Sequence, residues 1–260
     1  MIEPQLPDDA GSDTYRANTY GDAFADVYDD WYADVSDVDA TVAAIARLAG
    51  DGTILELGVG TGRLALPLAA TGVKVVGVDA SQAMLDLLAD KAGAGDITVA
   101  LTDMADLDAA PGIADHGPYA VAFAAFNTFF NLTSDDAQAA CLQALHRLVR
   151  PDGVIVIEGF VPPEDGLNDG GVSVRDVTAT GAVITISKHD AVAQIIRGHH
   201  VEITAAGNRL RPWMLHYRTP EQLDAAADDA GFTLRERWSD WHGTPYSAGA
   251  DLHISVYERR

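Results

Sequence analysis

The residues with the clearest chemical potential form a short acidic and glycine-rich segment. Glu56 lies near the end of an apolar run, and Gly58, Gly60 and Gly62 follow at alternate positions before a helical pattern begins. Glycines let the backbone adopt positive φ and approach a ligand closely. A helix N-terminus adds free N–H groups and a positive dipole end for a carboxylate or phosphate. The segment therefore predicts a nucleotide-type site between a strand and a helix.

Two further acidic positions follow the next predicted strands. Asp79 ends a strand and precedes Ala80, and the pair Asp103-Met104 lies just past the strand after that. The carboxyl ends of parallel strands line a ligand crevice at one sheet edge. There Asp79 can accept hydrogen bonds from ribose hydroxyls, Asp103 can accept from an adenine amine, and Met104 can pack on the ring. The set predicts a cofactor that contains adenosine.

The elements that must position these residues alternate between strand and helix. Apolar runs predict strands at 53–57, 74–78, 97–101, 119–125 and 154–157, and amphipathic periodicity predicts helices at 63–71, 81–91 and 135–148. A helix from 220 to a stop at Gly231 and strands at 233–238 and 252–258 complete the pattern. The fold class predicted is α/β, a Rossmann-like, doubly wound, mostly parallel seven-stranded sheet.

Two segments depart from this alternation. Residues 20–50 have helical spacing, and residues 172–217 show alternating segments separated by turns, which predict an antiparallel β insertion after the fifth strand. The predicted organisation is an N-terminal arm with capping helices at 1–50, a cofactor-binding core at 51–165, the insertion at 166–217 and the C-terminal part of the core at 218–260.

Composition narrows the class of partner. The chain has 260 residues and a formal net charge of −22, from 17 basic and 39 acidic residues. Binding to a phosphate backbone needs a basic footprint, so nucleic acid is not expected as a partner. No apolar run reaches the roughly 18 residues of a membrane span, and Met1-Ile2-Glu3-Pro4 does not begin a signal peptide. Together with a single cysteine, Cys141, this predicts a cytoplasmic protein without a membrane partner.

The ordered motifs resemble those of the class I S-adenosylmethionine-dependent methyltransferases over about residues 20–160 and 217–258. The segment from Glu56 to Gly62 is similar to their first motif, 75–81 to their second, and Asp103-Met104 to their adenine-binding pair. Phe126-Asn127 lies where the family has its fourth-strand motif. The resemblance implies S-adenosyl-L-methionine as cofactor, with the three glycines against its methionine part, Asp79 on the ribose, and Asp103 and Met104 on the adenine.

The acceptor side is predicted from position. The insertion resembles that of the aminosugar and glycine N-methyltransferases, although the histidine that the aminosugar enzymes tend to have after strand four is absent here. The candidate catalytic residues are Tyr20, Tyr32, Asn131, Glu158 and His242. His199 and His200 point to opposite faces of a strand and are interpreted as surface residues, and no metal site is predicted. Since no base or metal site stands out, N-methylation of a small molecule is slightly favoured over O-methylation.

Two alternatives remain open at this point. The segment from Gly60 to Ala65 also fits a dinucleotide pattern, which permits an NAD-dependent oxidoreductase. The fold can also be kept as a non-catalytic, cofactor-binding subunit. The insertion can cover the acceptor or make a homodimer contact.

Overall fold

The buried apolar runs of the sequence form the centre of one sheet. The computed structural model describes residues 15–33, 35–163, 166–247 and 249–260. The sheet has seven strands: β1 (Ile54–Leu57), β2 (Val75–Asp79), β3 (Ile97–Leu101), β4 (Tyr119–Ala124), β5 (Val149–Phe160), β10 (Phe232–Trp238) and β11 (Leu252–Arg259). Their spatial order is β10-β11-β5-β4-β1-β2-β3, and only the pairs made by β11 are antiparallel. The predicted fold class is confirmed.

Helices cover both faces of this sheet, as a doubly wound fold requires. The helices that pack on it are α3 (Val38–Ala49), α4 (Ala65–Ala70), α5 (Gln82–Ala89), α6 (Asp135–Leu148) and α7 (Pro220–Asp229). Ser81, Ser134 and Thr219 cap α5, α6 and α7, each accepting from a backbone N–H in the first turn. Because side chains alternate along a strand, Ile54 packs with α3 to α5 on one face and Leu55 packs with α6 and α7 on the other.

The N-terminal segment is less regular than its periodicity predicts. Residues 20–50 are not one helix: α1 (Thr19–Phe24) and α2 (Tyr28–Trp31) are short turns of helix that precede α3. Asp37 has an extended backbone and accepts a hydrogen bond from Ala40 N at 2.9 Å, so it begins α3 as an N-cap and separates it from α2. The break lets α1 and α2 lie over the site edge of the sheet.

The insertion is a second sheet of four antiparallel strands. Its strands are β6 (Gly170–Val177), β7 (Gly181–Asp190), β8 (Ile195–Thr204) and β9 (Gly207–His216), paired in chain order. One face of it packs on the N-terminal helices, where Arg211 of β9 is bonded to Ala23 O at 2.5 Å and to Asp26 Oδ1 at 2.6 Å. The insertion is thereby fixed above the carboxyl ends of β1 and β4.

No helix in the described part of the chain is long and apolar enough to cross a membrane.

Candidate active site

The glycine loop joins β1 to the next helix, and its three glycines have different surroundings. All three have positive φ, of 66° at Gly58, 55° at Gly60 and 84° at Gly62. A Cβ on Gly58 would lie 2.5 Å from Thr128, and a Cβ on Gly62 would lie 2.4 Å from Leu88. A Cβ on Gly60 would meet only Gly58 O, at 3.9 Å, and would extend into an open cleft. Gly62 therefore serves helix packing, whereas Gly60 keeps space free for a ligand.

Asp79 holds this loop from the end of β2. Its Oδ2 accepts a hydrogen bond from Gly60 N and its Oδ1 accepts from Ser81 N, both at 2.8 Å. Burial raises the pKa of Asp79, and the backbone N–H donors, among them those of Ser81 and Gly60, oppose that shift. A carboxylate oxygen has more than one acceptor position, so both oxygens can still accept from a ligand in the cleft.

Glu56 lies beneath the loop, and one of its carboxylate oxygens makes no hydrogen bond with the residues that the structure describes. Its side chain is buried, and Oε2 has no partner within the described chain. Burial raises the pKa of Glu56 well above its usual range, with the nearby Arg63 guanidinium opposing and Asp79 adding to the rise. Buried polar atoms normally have partners. The unpartnered oxygen fits a cationic group bound next to Gly60.

An open cleft collects most of the predicted cofactor residues. Asp103 begins a 3-10 helix at its far end, where its Oδ1 accepts from Ala105 N at 2.9 Å. The predicted residues that line the cleft come from the ends of β1, β2 and β3: Gly58, Gly60, Asp79, Ala80, Asp103 and Met104. Glu56 and Gly62 do not line the cleft.

An aromatic cavity adjoins the cleft and shares four lining residues with it, Tyr20, Tyr28, Thr128 and Asn131. Its remaining lining residues come from α2, from the turn after β4 and from the insertion: Tyr32, Phe126, Asn127, His200, Trp213 and Leu215. The structure thus brings together Tyr20, Tyr32 and Asn131 of the predicted catalytic set. It also places Phe126 and Asn127 on this cavity instead of on the cofactor cleft.

The turn after β4 is held in an unusual backbone conformation. Phe126 and Asn127 have φ of 52° and 62°, in the left-handed region that non-glycine residues seldom occupy. Glu158 Oε2 accepts from Phe126 N at 2.6 Å, and Asn127 Oδ1 accepts from Phe160 N at 2.7 Å. Both contacts come from β5, so this strand fixes the turn and aims the Phe126 ring at the cavity.

Two predicted catalytic residues lie away from both cavities. Glu158 is not at the strand end, because β5 continues to Phe160, and its buried carboxylate is turned to the Phe126 amide. His242 lies in an exposed loop with its side chain 70% accessible, and its Nε2 is 3.2 Å from Asp37 Oδ2 at the start of α3. Neither side chain is among those lining the cleft or the cavity.

His200, in contrast, was interpreted from the sequence as a surface residue, and the structure contradicts this. The ring is half-buried in the aromatic cavity, and its Nδ1 is 2.8 Å from Thr185 Oγ1. Trp213 lines the cavity as well. Alternation placed His199 and His200 on opposite faces but did not indicate which face meets the core.

Comparison with known proteins identifies the family. The sequence-family model described as a methyltransferase domain matches residues 54–153, which run from β1 into β5. The solved structure of the CcbJ methyltransferase from Streptomyces caelestis is 37% identical in sequence, with a TM-score of 0.85 over 94% of this chain and 99% of the other. The chain belongs to the class I S-adenosylmethionine-dependent methyltransferases.

Other relatives agree with this assignment. A cypemycin N-terminal methyltransferase from a Streptomyces species is 29% identical over 212 residues, which are 80% of this chain and 83% of that protein. The S-adenosylmethionine-bound structure of CalS10, an amino pentose methyltransferase from Micromonospora echinaspora, is 21% identical and has the same fold, with a TM-score of 0.59 over 95% of this chain and 93% of the other.

Membership settles the cofactor and the class of activity. The methyltransferase uses S-adenosylmethionine, and the oxidoreductase and non-catalytic alternatives no longer stand. The cleft fits this cofactor on its own geometry, since it offers open space above Gly60 and carboxylates at the ends of β2 and β3. Glu56 does not line the cleft, but its unpartnered oxygen is buried beneath the glycine loop.

Proposed function

We propose that this methyltransferase transfers the methyl group of S-adenosylmethionine to a nitrogen atom of a small molecule held in the aromatic cavity. The observation that carries the proposal is the lining of that cavity. Its described side chains are aromatic, aliphatic, amide, hydroxyl and imidazole groups, and no Asp or Glu is among them. A neutral amine needs only positioning and a later loss of its proton, whereas a hydroxyl needs a base to become a nucleophile.

Tyr20 and Tyr28 of the cavity are poor candidates for such a base. Burial raises the pKa of Tyr20 well above its usual range, and the neighbouring tyrosines raise it further. Burial also raises the pKa of Tyr28, with the Arg63 guanidinium opposing. Both phenols therefore stay protonated at neutral pH and can only donate a proton in a hydrogen bond or accept through the neutral oxygen.

Fixed positive charge near the cavity favours a neutral acceptor. The Arg175 guanidinium lies 5.0 Å from the ring centroid of Trp31 and 5.1 Å from that of Tyr32. Arg211 also lies 5.3 Å from the Trp31 centroid, but its charge is compensated by ion pairs with Asp26 and Glu202. Positive charge disfavours a nearby ammonium ion, and the free amine is the form that can attack.

For the cofactor, we propose that Asp79 binds the ribose hydroxyls and Asp103 the adenine amine, with Met104 against the adenine ring. Gly60 leaves room for the methionine part, and the ionised form of Glu56 faces its ammonium group. These assignments rest on the shared cleft and on the free acceptor positions of the two aspartates.

The named activities of two relatives support nitrogen as the acceptor. One relative is an N-terminal methyltransferase and another acts on an amino pentose.

The test is incubation of the protein with S-adenosylmethionine carrying a labelled methyl group and a panel of acceptors, followed by mass spectrometry. The panel contains an aminosugar, a cyclic secondary amine, a short peptide with a free N-terminus, and a phenol. Label on an amine, absent with a Gly60→Val protein as control, supports the proposal. Label on the phenol alone would refute it.

We also propose that the methyltransferase forms a homodimer through the outer face of the insertion sheet. Strand register places six apolar side chains on that one face. Val172, Val174 and Val177 are 69%, 67% and 69% exposed, and the other three are Ile186, Ile203 and Leu210. Apolar patches of this kind mark interfaces, and a second copy suits a flat face because a twofold contact buries the same patch twice.

Light scattering coupled to size-exclusion chromatography tests this contact. We expect the mass of a dimer for the wild type and of a monomer for the double substitution Val172→Lys and Val174→Lys. Val192→Lys, at a fully exposed turn position, is the matched control and should stay dimeric. A monomeric wild type, or a dimeric double variant, would contradict the proposal.

A further inference from the structure

His200 of the insertion sheet is held at a defined orientation in the acceptor cavity. Thr185 is its direct cross-strand partner on β7, and the two side chains are joined by the Nδ1 to Oγ1 contact of 2.8 Å. The imidazole also meets the rings of Phe24, Trp31 and Trp213, with centroid distances of 5.6, 5.9 and 6.1 Å. The aromatic contacts and the hydrogen bond together fix the orientation of the imidazole ring.

The second ring nitrogen is the one available to a ligand. His200 Nε2 makes no hydrogen bond within the described chain and is not among its buried unpartnered atoms. The residue lines the same cavity as Tyr20, Phe126 and Asn131. A polar atom that is open to the cavity and free of protein partners can bond to the acceptor.

The His200 imidazole has the charge state that it needs to accept a hydrogen bond. Burial, with the nearby Arg175 and Arg211 guanidinium groups, lowers the pKa of His200 to about 4. The ring is therefore neutral at physiological pH, with a proton on one nitrogen and a lone pair on the other. If Nδ1–H donates to Thr185 Oγ1, the lone pair is on Nε2.

We propose that His200 Nε2 accepts a hydrogen bond from the N–H of the acceptor amine and so orients the amine lone pair toward the cofactor cleft. The inference rests on the proposed function. In the transfer, the nitrogen lone pair forms the new N–C bond while the C–S bond of the donor breaks and leaves its electron pair on sulfur. The methylated ammonium product then loses its proton to water. His200 selects and aligns the neutral amine, and Thr185 is a positioning residue that fixes the orientation of the imidazole ring.

The experiment compares His200→Phe with His199→Phe, using the amine of the panel that the wild type methylates fastest. His199 is adjacent in sequence but on the opposite face of β8. We expect kcat/KM to fall at least about tenfold in His200→Phe, the scale of one lost, well-placed hydrogen bond. We expect the affinity for S-adenosylhomocysteine to stay within about twofold, and His199→Phe to match the wild type in both.

Two further variants separate alignment from a merely structural role. Thr185→Val should reduce turnover and Thr185→Ser should restore it, because serine keeps the oxygen that accepts from Nδ1. His200→Leu, which also has no acceptor atom, covers the case in which His200→Phe does not fold. Nitrogen-15 NMR of the histidine rings reports the tautomer directly, and we expect an unprotonated Nε2 on His200 in the wild type.

The outcomes distinguish the two proposals. Methylation of no amine by the wild type would overturn the proposed function and this inference with it. Amine methylation that persists at full rate in a folded His200→Phe or His200→Leu protein would overturn only the role of His200. A proton on Nε2 in the wild type would also overturn it, because that nitrogen would then be a donor.

Discussion

Replacement of Asp79 by alanine perturbs the contacts that its carboxylate makes within the loop and the ribose binding proposed for it. Inside the protein, Asp79 accepts from the N–H groups of Gly60 and Ser81, both at 2.8 Å. Toward the cleft, each oxygen retains an acceptor position for a ribose hydroxyl. The substitution should therefore weaken both the fold of the loop and the binding of the cofactor.

The two effects have different magnitudes. Loss of charge-assisted hydrogen bonds to the ribose costs about 1.5–3 kcal/mol, or about 10- to 150-fold in Kd. Leaving two partly buried N–H groups without this acceptor costs stability, but burial raises the pKa of Asp79, which means that desolvation of the carboxylate offsets part of the loss. We expect a net destabilisation of about 2 kcal/mol, which lowers the Tm by about 4–8 °C for a domain of this size.

Titration calorimetry with S-adenosylhomocysteine and thermal unfolding measure the two effects. Asp90→Ala is the matched control, since Asp90 follows α5 and is exposed. Asp79→Asn keeps one acceptor oxygen for the loop and should lose less stability than alanine. An affinity for Asp79→Ala within about threefold of that of Asp90→Ala would refute the ribose assignment.

Further outcomes follow from the same geometry. Gly60→Ala should lower the affinity for S-adenosylhomocysteine more than tenfold, which is on the order of 1.4 kcal/mol or more. Gly72→Ala is the control, because Gly72 also has a positive φ but nothing in the described chain lies near its Cβ, and it should leave the affinity unchanged. Equal affinities of the two variants by calorimetry would contradict the loop assignment. Because burial raises the pKa of Glu56, the carboxyl of the ligand-free protein stays protonated at pH values above the ordinary pKa of glutamic acid. Binding of the ligand's ammonium group should then release protons, and affinity should rise with pH through that raised pKa. Calorimetry in buffers of different ionisation enthalpy should show this release in the wild type and its loss in Glu56→Gln. His242→Ala should leave turnover within about twofold of the wild type, because the His242 side chain contacts Asp37 on the outside of the protein. A tenfold fall in turnover would support the predicted catalytic role of His242.

The cofactor side of the site could be predicted from the sequence because it depends on the backbone. Apolar runs identify parallel strands, and the residues at their carboxyl ends lie at one edge whatever the details of packing. Asp79, Ala80 and Asp103 therefore fall on the cleft as the spacing predicts. Gly62 shows the limit of the motif, because its lack of a side chain is needed by Leu88 and not by the ligand.

The acceptor side depends on side-chain directions that spacing leaves open. Glu158 was predicted to be catalytic from its position just after the predicted fifth strand at 154–157, but β5 continues to Phe160 and turns the carboxylate to the Phe126 amide. His200 was assigned to the surface because alternation alone cannot identify the inward face of the insertion. Only the packing of β9 on α1 decides that face.

The two halves of the site are built by different parts of the chain, and β5 joins them. The Rossmann-like core supplies the cleft, whereas α1, α2 and the insertion supply most of the cavity wall. Phe126 belongs to the core yet lines the cavity, and its left-handed backbone costs on the order of 1–2 kcal/mol. Glu158 and the Asn127–Phe160 contact hold that conformation from β5, immediately before the chain leaves for the insertion. Changes within the insertion can therefore alter which acceptor fits while the cofactor cleft and the turn that faces it stay fixed.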